Sequence, residues 1–290
     1  MASESRPQVR EEQATESDSY YGRSVHDMKT VVLNPEKSVH MSTWFDLVKE
    51  YTKRALTNRN DRLAAIHGLA MKHSGRFDGA YVVGLWTSEL HAGLLWEVSN
   101  TVPAKSLERH LLLPSWSWAS VEAEISFKTN YTDALEPVAN MEVLEPTTLS
   151  LVLGRSISVP GLRCKSRYSR GALFSTTRRF TACNFCTART VHVTDTVHCT
   201  MDSLEYLAGS TWRGEYVLCR GEFCCTLVAQ QKGEHFCLYY FLILEQLQKS
   251  HQGDTGHDLF KRVGIGWQEM INGVEPGVLT DAEESDLLIV

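Results

Sequence analysis

Pro114-Ser115-Trp116-Ser117-Trp118-Ala119-Ser120-Val121 divides the sequence into two textures, and the fold follows from that division. Before it, apolar residues recur at helical spacing. After it, short runs rich in Val, Ile, Leu, Thr and aromatic residues are separated by turn residues, the pattern of strands. Trp116 and Trp118 alternate within the block. An extended segment would turn both to one face and let them anchor the junction of helices and sheet.

Upstream of the block, Trp44, Leu47, Val48, Tyr51 and Ala55 fall on the i, i+3, i+4, i+7 stripe of an amphipathic helix, with Ser42 placed to cap it and Glu50 and Arg54 paired on its outer face. The polar stretch from Thr57 to Asp61 breaks that helix. Asp61 then caps a second helix carrying Leu63, Ile66, Leu69 and Ala70 inward and ending at Gly75. A third helix is expected between Thr87 and Trp96, where Leu90 and Leu94 share a face.

Downstream, strands are expected over Val121 to Phe127, Leu149 to Val159, Thr190 to Val197, Tyr216 to Arg220, Cys224 to Ala229, Phe236 to Leu244, Arg262 to Trp267 and Leu287 to Val290. Helices first and strands after make the fold class α+β: a helical segment over about 42–97, then mainly antiparallel β-sheet or an open barrel. In domain terms, a disordered tail (1–30) precedes a helical region (31–121) and a β-rich region (122–290).

The chain has 290 residues, of which 43% are hydrophobic and 22% charged, enough apolar material for a sizeable core. Lys and Arg number 29 against 35 Asp and Glu, and the net charge of −6 gives the whole chain no pull toward nucleic acid or anionic lipid. Residues 1–30 contain no Leu, Ile, Phe, Trp or Cys. They read as a disordered tail and lack the layout of a signal peptide. The apolar run from Cys237 to Leu244 is far short of the roughly 20 residues a membrane helix needs. Eight cysteines without an export signal read as reduced thiols, placing the chain in the cytosol or nucleus rather than at a membrane.

Charge is unevenly spread. No acidic residue lies between Glu145 and Asp195, whereas Arg155, Arg163, Lys165, Arg167, Arg170, Arg178, Arg179 and Arg189 all do, so the other residues balance at −14. With Tyr168, Phe174, Phe180 and Phe185 interleaved, the arginines (Arg167, Arg170, Arg178 and Arg179 above all) could contact a single-stranded nucleic acid or phosphate. The plainer reading, and the preferred one, is a solvated basic loop or insertion at about 155–190, with nucleic acid not the expected partner.

Cys183 and Cys186, followed by His198 and Cys199, offer thiolate and imidazole ligands of the kind zinc takes, with His192 nearby. The second half of that motif is poor, because His198 and Cys199 are adjacent and a strand would turn them to opposite faces. Cys224 and Cys225 are neighbours in the same way and read as packing thiols. Gly264-Ile265-Gly266 opens like a dinucleotide fingerprint, but Glu269 stands where the third glycine belongs. Spacing alone nominates no catalytic residue and no cofactor.

Four ordered blocks nevertheless carry a resemblance. Trp44 to Thr57 with Asp61 to Ala70, Tyr81-Val82-Val83-Gly84-Leu85-Trp86 with Leu94-Leu95-Trp96, the Pro114 to Val121 block, and Phe260-Lys261-Arg262-Val263-Gly264-Ile265-Gly266 together resemble the downstream part of fungal heterokaryon incompatibility (HET) domain proteins. Trp86, Trp96, Pro114, Trp116 and Trp118 are the signature residues. The match is tightest from Trp44 to Val121, and the stretch from Pro146 to Asp195 has no counterpart.

The resemblance implies a role in non-self recognition, in which fusion of incompatible individuals triggers programmed cell death. Intact members of the family begin with a region related to the TIR fold and to NAD-cleaving effectors, bearing a Tyr-x-x-x-Trp-Gly segment that this sequence lacks. The expected function is therefore a truncated or divergent family member that acts as a non-catalytic interaction module with other proteins as partners. The alternatives are an NAD- or nucleotide-hydrolysing effector with an unrecognised site, and a phosphate- or nucleic-acid-binding module built on the basic stretch.

Overall fold

The computed structural model describes residues 41–54, 61–99, 113–128, 135–145, 147–150, 156–175, 182–187, 196–202, 211–213, 216–218, 221–248 and 258–290. The expected tail at 1–30 lies outside these residues, as does most of the strand expected from Thr190. No helix among the described residues is long and apolar enough to cross a membrane.

Helix α1 (Met41–Thr52) buries Trp44, Phe45, Leu47 and Val48. Ser42 sits inside the helix rather than capping it, and Lys53, not Arg54, pairs with Glu50, at 2.5 Å. Helix α2 (Arg62–His73) follows Asp61 and buries Ile66 and Ala70, together with Arg62 and His73, while Leu63 and Leu69 are half-buried against the same core. The third expected helix shrinks to a 3-10 turn (Thr87–Glu89) and the single turn α3 (Leu90–Gly93). Trp96, expected at its end, belongs to a strand instead.

Short strands interleave with this helical layer. β1 (Tyr81–Val82) and β2 (Leu85–Trp86) form a hairpin, and β3 (Trp96–Val98) pairs with β4 (Ile125–Phe127). The Pro114–Val121 block between β3 and β4 is turn and 3-10 helix (Trp118–Ser120), not an extended segment. Same-face alternation therefore does not place Trp116 and Trp118, although both are fully buried.

The remaining strands are β5 (Leu135–Pro137), β6 (Asn140–Val143), β7 (Thr147–Ser150), β8 (Ser156–Val159), β9 (Leu162–Ser175), β10 (Ala182–Thr187), β11 (Val197–Met201), β12 (Thr211–Arg213), β13 (Tyr216–Leu218), β14 (Phe223–Lys232), β15 (Phe236–Gln248), β16 (Leu259–Ile271) and β17 (Glu283–Ile289). The fold is α+β with a dominantly antiparallel sheet. That sheet closes on itself: β9 pairs with β10, β10 with β11, β11 with β16, β16 with β15, β15 with β14, and β14 returns to β9. The result is a closed barrel rather than an open one, and closure removes the exposed edges that an open sheet would carry.

Closure depends on β9. Its second half serves β14 and β10, and its first half serves β6 on one side and β17 on the other. β17 runs antiparallel to β9 and parallel to the start of β16, completing the wall at that end. The segment that reads as a basic loop or insertion is thus, from Leu162 to Ser175, a barrel stave fourteen residues long.

Two cores lie on the two faces of this wall. Leu173, Phe185, Val197, Cys199, Cys225, Phe241 and Ile243 point into the barrel, where the 3-10 turn Gly277–Leu279 closes one end with Val278 and Leu279. Cys164, Cys224, Leu242, Leu244 and Ile265 point outward beneath the helices, packing with the tryptophans. Because both faces of β15 are buried, its run from Cys237 to Leu244 is apolar throughout instead of alternating. Cys224 and Cys225 face opposite sides as their adjacency requires.

Candidate functional site

The Pro114–Val121 block sits where the helical layer meets the barrel, and nearly all its polar atoms are engaged. Ser115 donates from Oγ and from its backbone N–H to the Val290 carbonyl, and its Oγ accepts the Arg262 N–H at 2.8 Å. Ser117 donates to the Val83 carbonyl at 2.6 Å and accepts from the Ala119 N–H at 3.1 Å. Trp118 Nε1 donates to the Gly84 carbonyl at 2.9 Å, and Trp96 Nε1 to the Trp116 carbonyl at 3.0 Å. The block therefore clamps the β1–β2 turn, β3, β16 and β17 at once.

Beneath it lies a buried ion pair. Arg262 is fully buried and Asp202 equally so; Arg262 Nη2 and Nε stand 3.2 Å from the two carboxylate oxygens. The same guanidinium donates to the Leu94 carbonyl at 3.0 Å and the Trp96 carbonyl at 2.5 Å, and lies 3.4 Å above the Trp96 ring. A planar fork with five donors suits this task, because one side chain satisfies carbonyls of the helical layer and a carboxylate of the barrel together. Asp202 follows β11, and no local pattern in the sequence marks it as Arg262's partner.

Within the same core, Trp44, Tyr81 and Trp86 pack with ring centroids 5.2–5.8 Å apart, and Phe77 stands 5.0 Å from Trp86. Trp44 Nε1, Trp86 Nε1 and the Tyr81 hydroxyl are buried with no acceptor among the described residues, and burial pushes the Tyr81 phenol well above its usual pKa. Arg62 lies close by, its guanidinium 5.4 Å above Trp118 and Nη2 2.8 Å from the Ala123 carbonyl; burial lowers its pKa, opposed by Tyr51 and Glu122. The cluster offers donors and aromatic surface, with neutral His73 behind Phe77 at 6.4 Å.

The zinc candidates do not converge. In the β10–β11 register Cys183 faces Cys199 and Asn184 faces His198. Cys199 points into the barrel, while His198 is exposed outside and hydrogen-bonds Asn184 through Nδ1 at 3.0 Å. Strand parity places Cys186 with Asn184 and His198, not with Cys199. No group of three or more His, Cys, Asp or Glu side chains that could hold a metal is found among the described residues.

The basic stretch is answered by acids from elsewhere in the chain. Arg163 meets Glu142 at 2.9 Å and Asp286 at 3.8 Å, and Lys165 meets Glu284 at 3.7 Å. Arg167 holds Glu275 at 3.0 Å and the Leu279 carbonyl at 2.5 Å, while Arg170 reaches Gln246 at 2.6 Å and Asp258 at 3.6 Å. Of the proposed polyanion contacts, Arg167 and Arg170 are thus engaged within the chain, and Arg178 and Arg179 lie outside the described residues.

Comparison with protein-family models, with curated proteins and with solved structures finds no match.

Proposed function

We propose that this chain is a non-catalytic interaction module of the heterokaryon incompatibility type, acting in fungal non-self recognition. The observation that carries the reading is spatial. The blocks that resemble the family lie far apart in sequence yet touch one another: Trp118 bonds Gly84, Trp96 bonds Trp116, and Ser115 bonds both Arg262 and Val290. Residues that share a family pattern for a structural reason should form one packing unit, and these do.

We place its work in the cytosol or nucleus. Cys164, Cys199, Cys224, Cys225 and Cys237 are buried free thiols and Cys186 a half-buried one, which favours a reducing compartment. The test is expression of the full chain in one of two fusing colonies of a filamentous fungus. Growth arrest and vital-dye uptake confined to fusion cells support the reading; fusion cells as viable as controls overturn it.

A further inference from the structure

Six large apolar side chains stand exposed among the described residues, and three of them, Phe236, Ile271 and Val274, gather at one rim of the barrel. Phe236 opens β15, Ile271 closes β16, and the register sets them directly opposite, so they share one face of the wall. They are 50% and 72% exposed. Val274 lies in the turn that follows, its N–H bonded to the Ile271 carbonyl at 3.0 Å.

The rim is fixed in place. Asn272 ties the two turns together, its N–H to the His235 carbonyl at 3.0 Å and its Nδ2 to the carbonyls of Gly233 and Glu234 at 3.1 and 3.0 Å. Phe236 and Ile271 thus stand side by side on a preorganised edge, where an incoming apolar group could cover both without further ordering of the rim.

Its charge sets what can sit there. Glu269 occupies the same face two residues before Ile271, and Glu234 lies in the adjoining turn; both are exposed and neither has an ion-pair partner among the described residues. Among the described residues, two cations of the adjoining strands are held by other acids: Lys232 by Glu136 at 2.8 Å and Arg167 by Glu275 at 3.0 Å. The rim is an apolar centre beside two carboxylates that form no ion pair among the described residues. A symmetric contact with a second copy would bring like carboxylates together, which disfavours that occupant.

We propose that the Phe236–Ile271 rim is a docking surface for a partner segment that presents apolar side chains beside Lys or Arg. This inference rests on the interaction-module reading and names the chemistry of its partner. Apolar anchors would cover Phe236 and Ile271, and the cations would answer Glu234 and Glu269.

The test uses the full chain and a fluorescent peptide of alternating Lys and Leu, with a Glu and Leu peptide as control, read by anisotropy at low and high salt. The expected result is binding of the Lys peptide alone. It should weaken at least tenfold in F236S/I271S, and in E234Q/E269Q it should weaken several-fold and lose its salt dependence. Thermal unfolding verifies that these surface variants remain folded. No binding, or equal binding by wild type and both variants, overturns the proposal. A dimer in sedimentation equilibrium that F236S/I271S dissociates assigns the rim to a second copy and also overturns it. A fusion reaction unaltered by F236S/I271S removes the rim while the incompatibility reading stands; peptide binding that behaves as expected without any fusion reaction supports the rim and removes that reading.

Discussion

Trp118 and Gly84 define each other's position: the indole Nε1 donates to the Gly84 carbonyl at 2.9 Å, and a Cβ on Gly84 would lie 2.6 Å from that same nitrogen. Gly84 also has φ +100°, which L side chains rarely adopt. Gly84→Ala should therefore destabilise the protein by strain and clash together, about 1–3 kcal/mol from the backbone alone. Trp118→Phe keeps most of the ring but leaves the buried carbonyl unpaired, at about 1–3 kcal/mol. Urea unfolding checks both. Wild-type midpoints would show that the Pro114–Val121 block does not clamp the turn.

Val83, the other central residue of this two-residue turn, has φ +41°, giving positive φ at both positions as in a type I′ hairpin. A β-branched residue is strained there, and the Ser117 hydroxyl on its carbonyl helps to hold it. Val83→Asn should accordingly raise stability by roughly 1 kcal/mol, since Asn-Gly is the preferred pair for this turn. A fall in the urea midpoint would mean that the half-buried Val83 side chain matters more than its backbone.

The Arg262–Asp202 pair makes a different prediction because both charges are buried. Asp202→Asn or Arg262→Met leaves one charge uncompensated and should cost about 3–5 kcal/mol each. The double variant should cost clearly less than the sum, since neither partner then remains as a buried charge. A double-mutant cycle by urea denaturation reads this directly. Strict additivity would show that Arg262 acts only through Leu94, Trp96 and the indole face beneath it.

Legibility of the fold followed how local each signal is. α1 and α2 carry their apolar periodicity within themselves, and β14 and β15 are marked by continuous apolar runs; these four fall close to where the sequence places them, whereas β16 and β17 begin earlier than expected. β9 has its alternation too, as Leu162-Arg163-Cys164-Lys165-Ser166-Arg167-Tyr168, but Cys164 and Ser166 are weakly apolar and the cations suggest solvent. What makes it a stave is Glu142 with the acids of β17, and no local window contains those partners. Barrel closure likewise depends on β9 meeting β14, and on Gly171, where a Cβ would collide with the Cys186 carbonyl and the Phe185 ring. Of the junction, the tryptophans were visible in the sequence; Asp202 and the acceptors of Trp118 and Trp96 were not, because backbone carbonyls leave no mark in a sequence.

His73 is buried, and its pKa is lowered by that burial and by Arg76 and Lys72. The unfolded chain takes up this proton near pH 6.5 while the folded chain resists it. The contribution is therefore full above pH 6.5 and lost as pH falls below it. Unfolding midpoints of wild type should decline from pH 7 to pH 5 more steeply than those of His73→Phe. Parallel declines would show that His73 is solvated in the folded state.

At the alkaline end the buried thiols are the first groups to act, and the buried phenols of Tyr81 and Tyr240 add to them above pH 10. Burial, with Asp286 adding to it, pushes the Cys164 thiol up to about 12, and burial with Cys199 and Cys224 beside it pushes Cys225 well above 9. An unfolded thiol ionises near 9, so below that pH neither state is charged and stability is flat. Above it the unfolded chain releases protons that the folded chain keeps, and stability falls by about 1.4 kcal/mol per pH unit for each such group. Between pH 9 and 11 the urea midpoint should drop, and Cys164→Ala should make the drop shallower. The same burial protects the thiols at pH 8, where a disulfide reagent should label Cys186 ahead of Cys164 and Cys225, which wait for unfolding. Rapid labelling of Cys225 in the folded chain, followed by mass mapping, would show that the barrel opens to solvent.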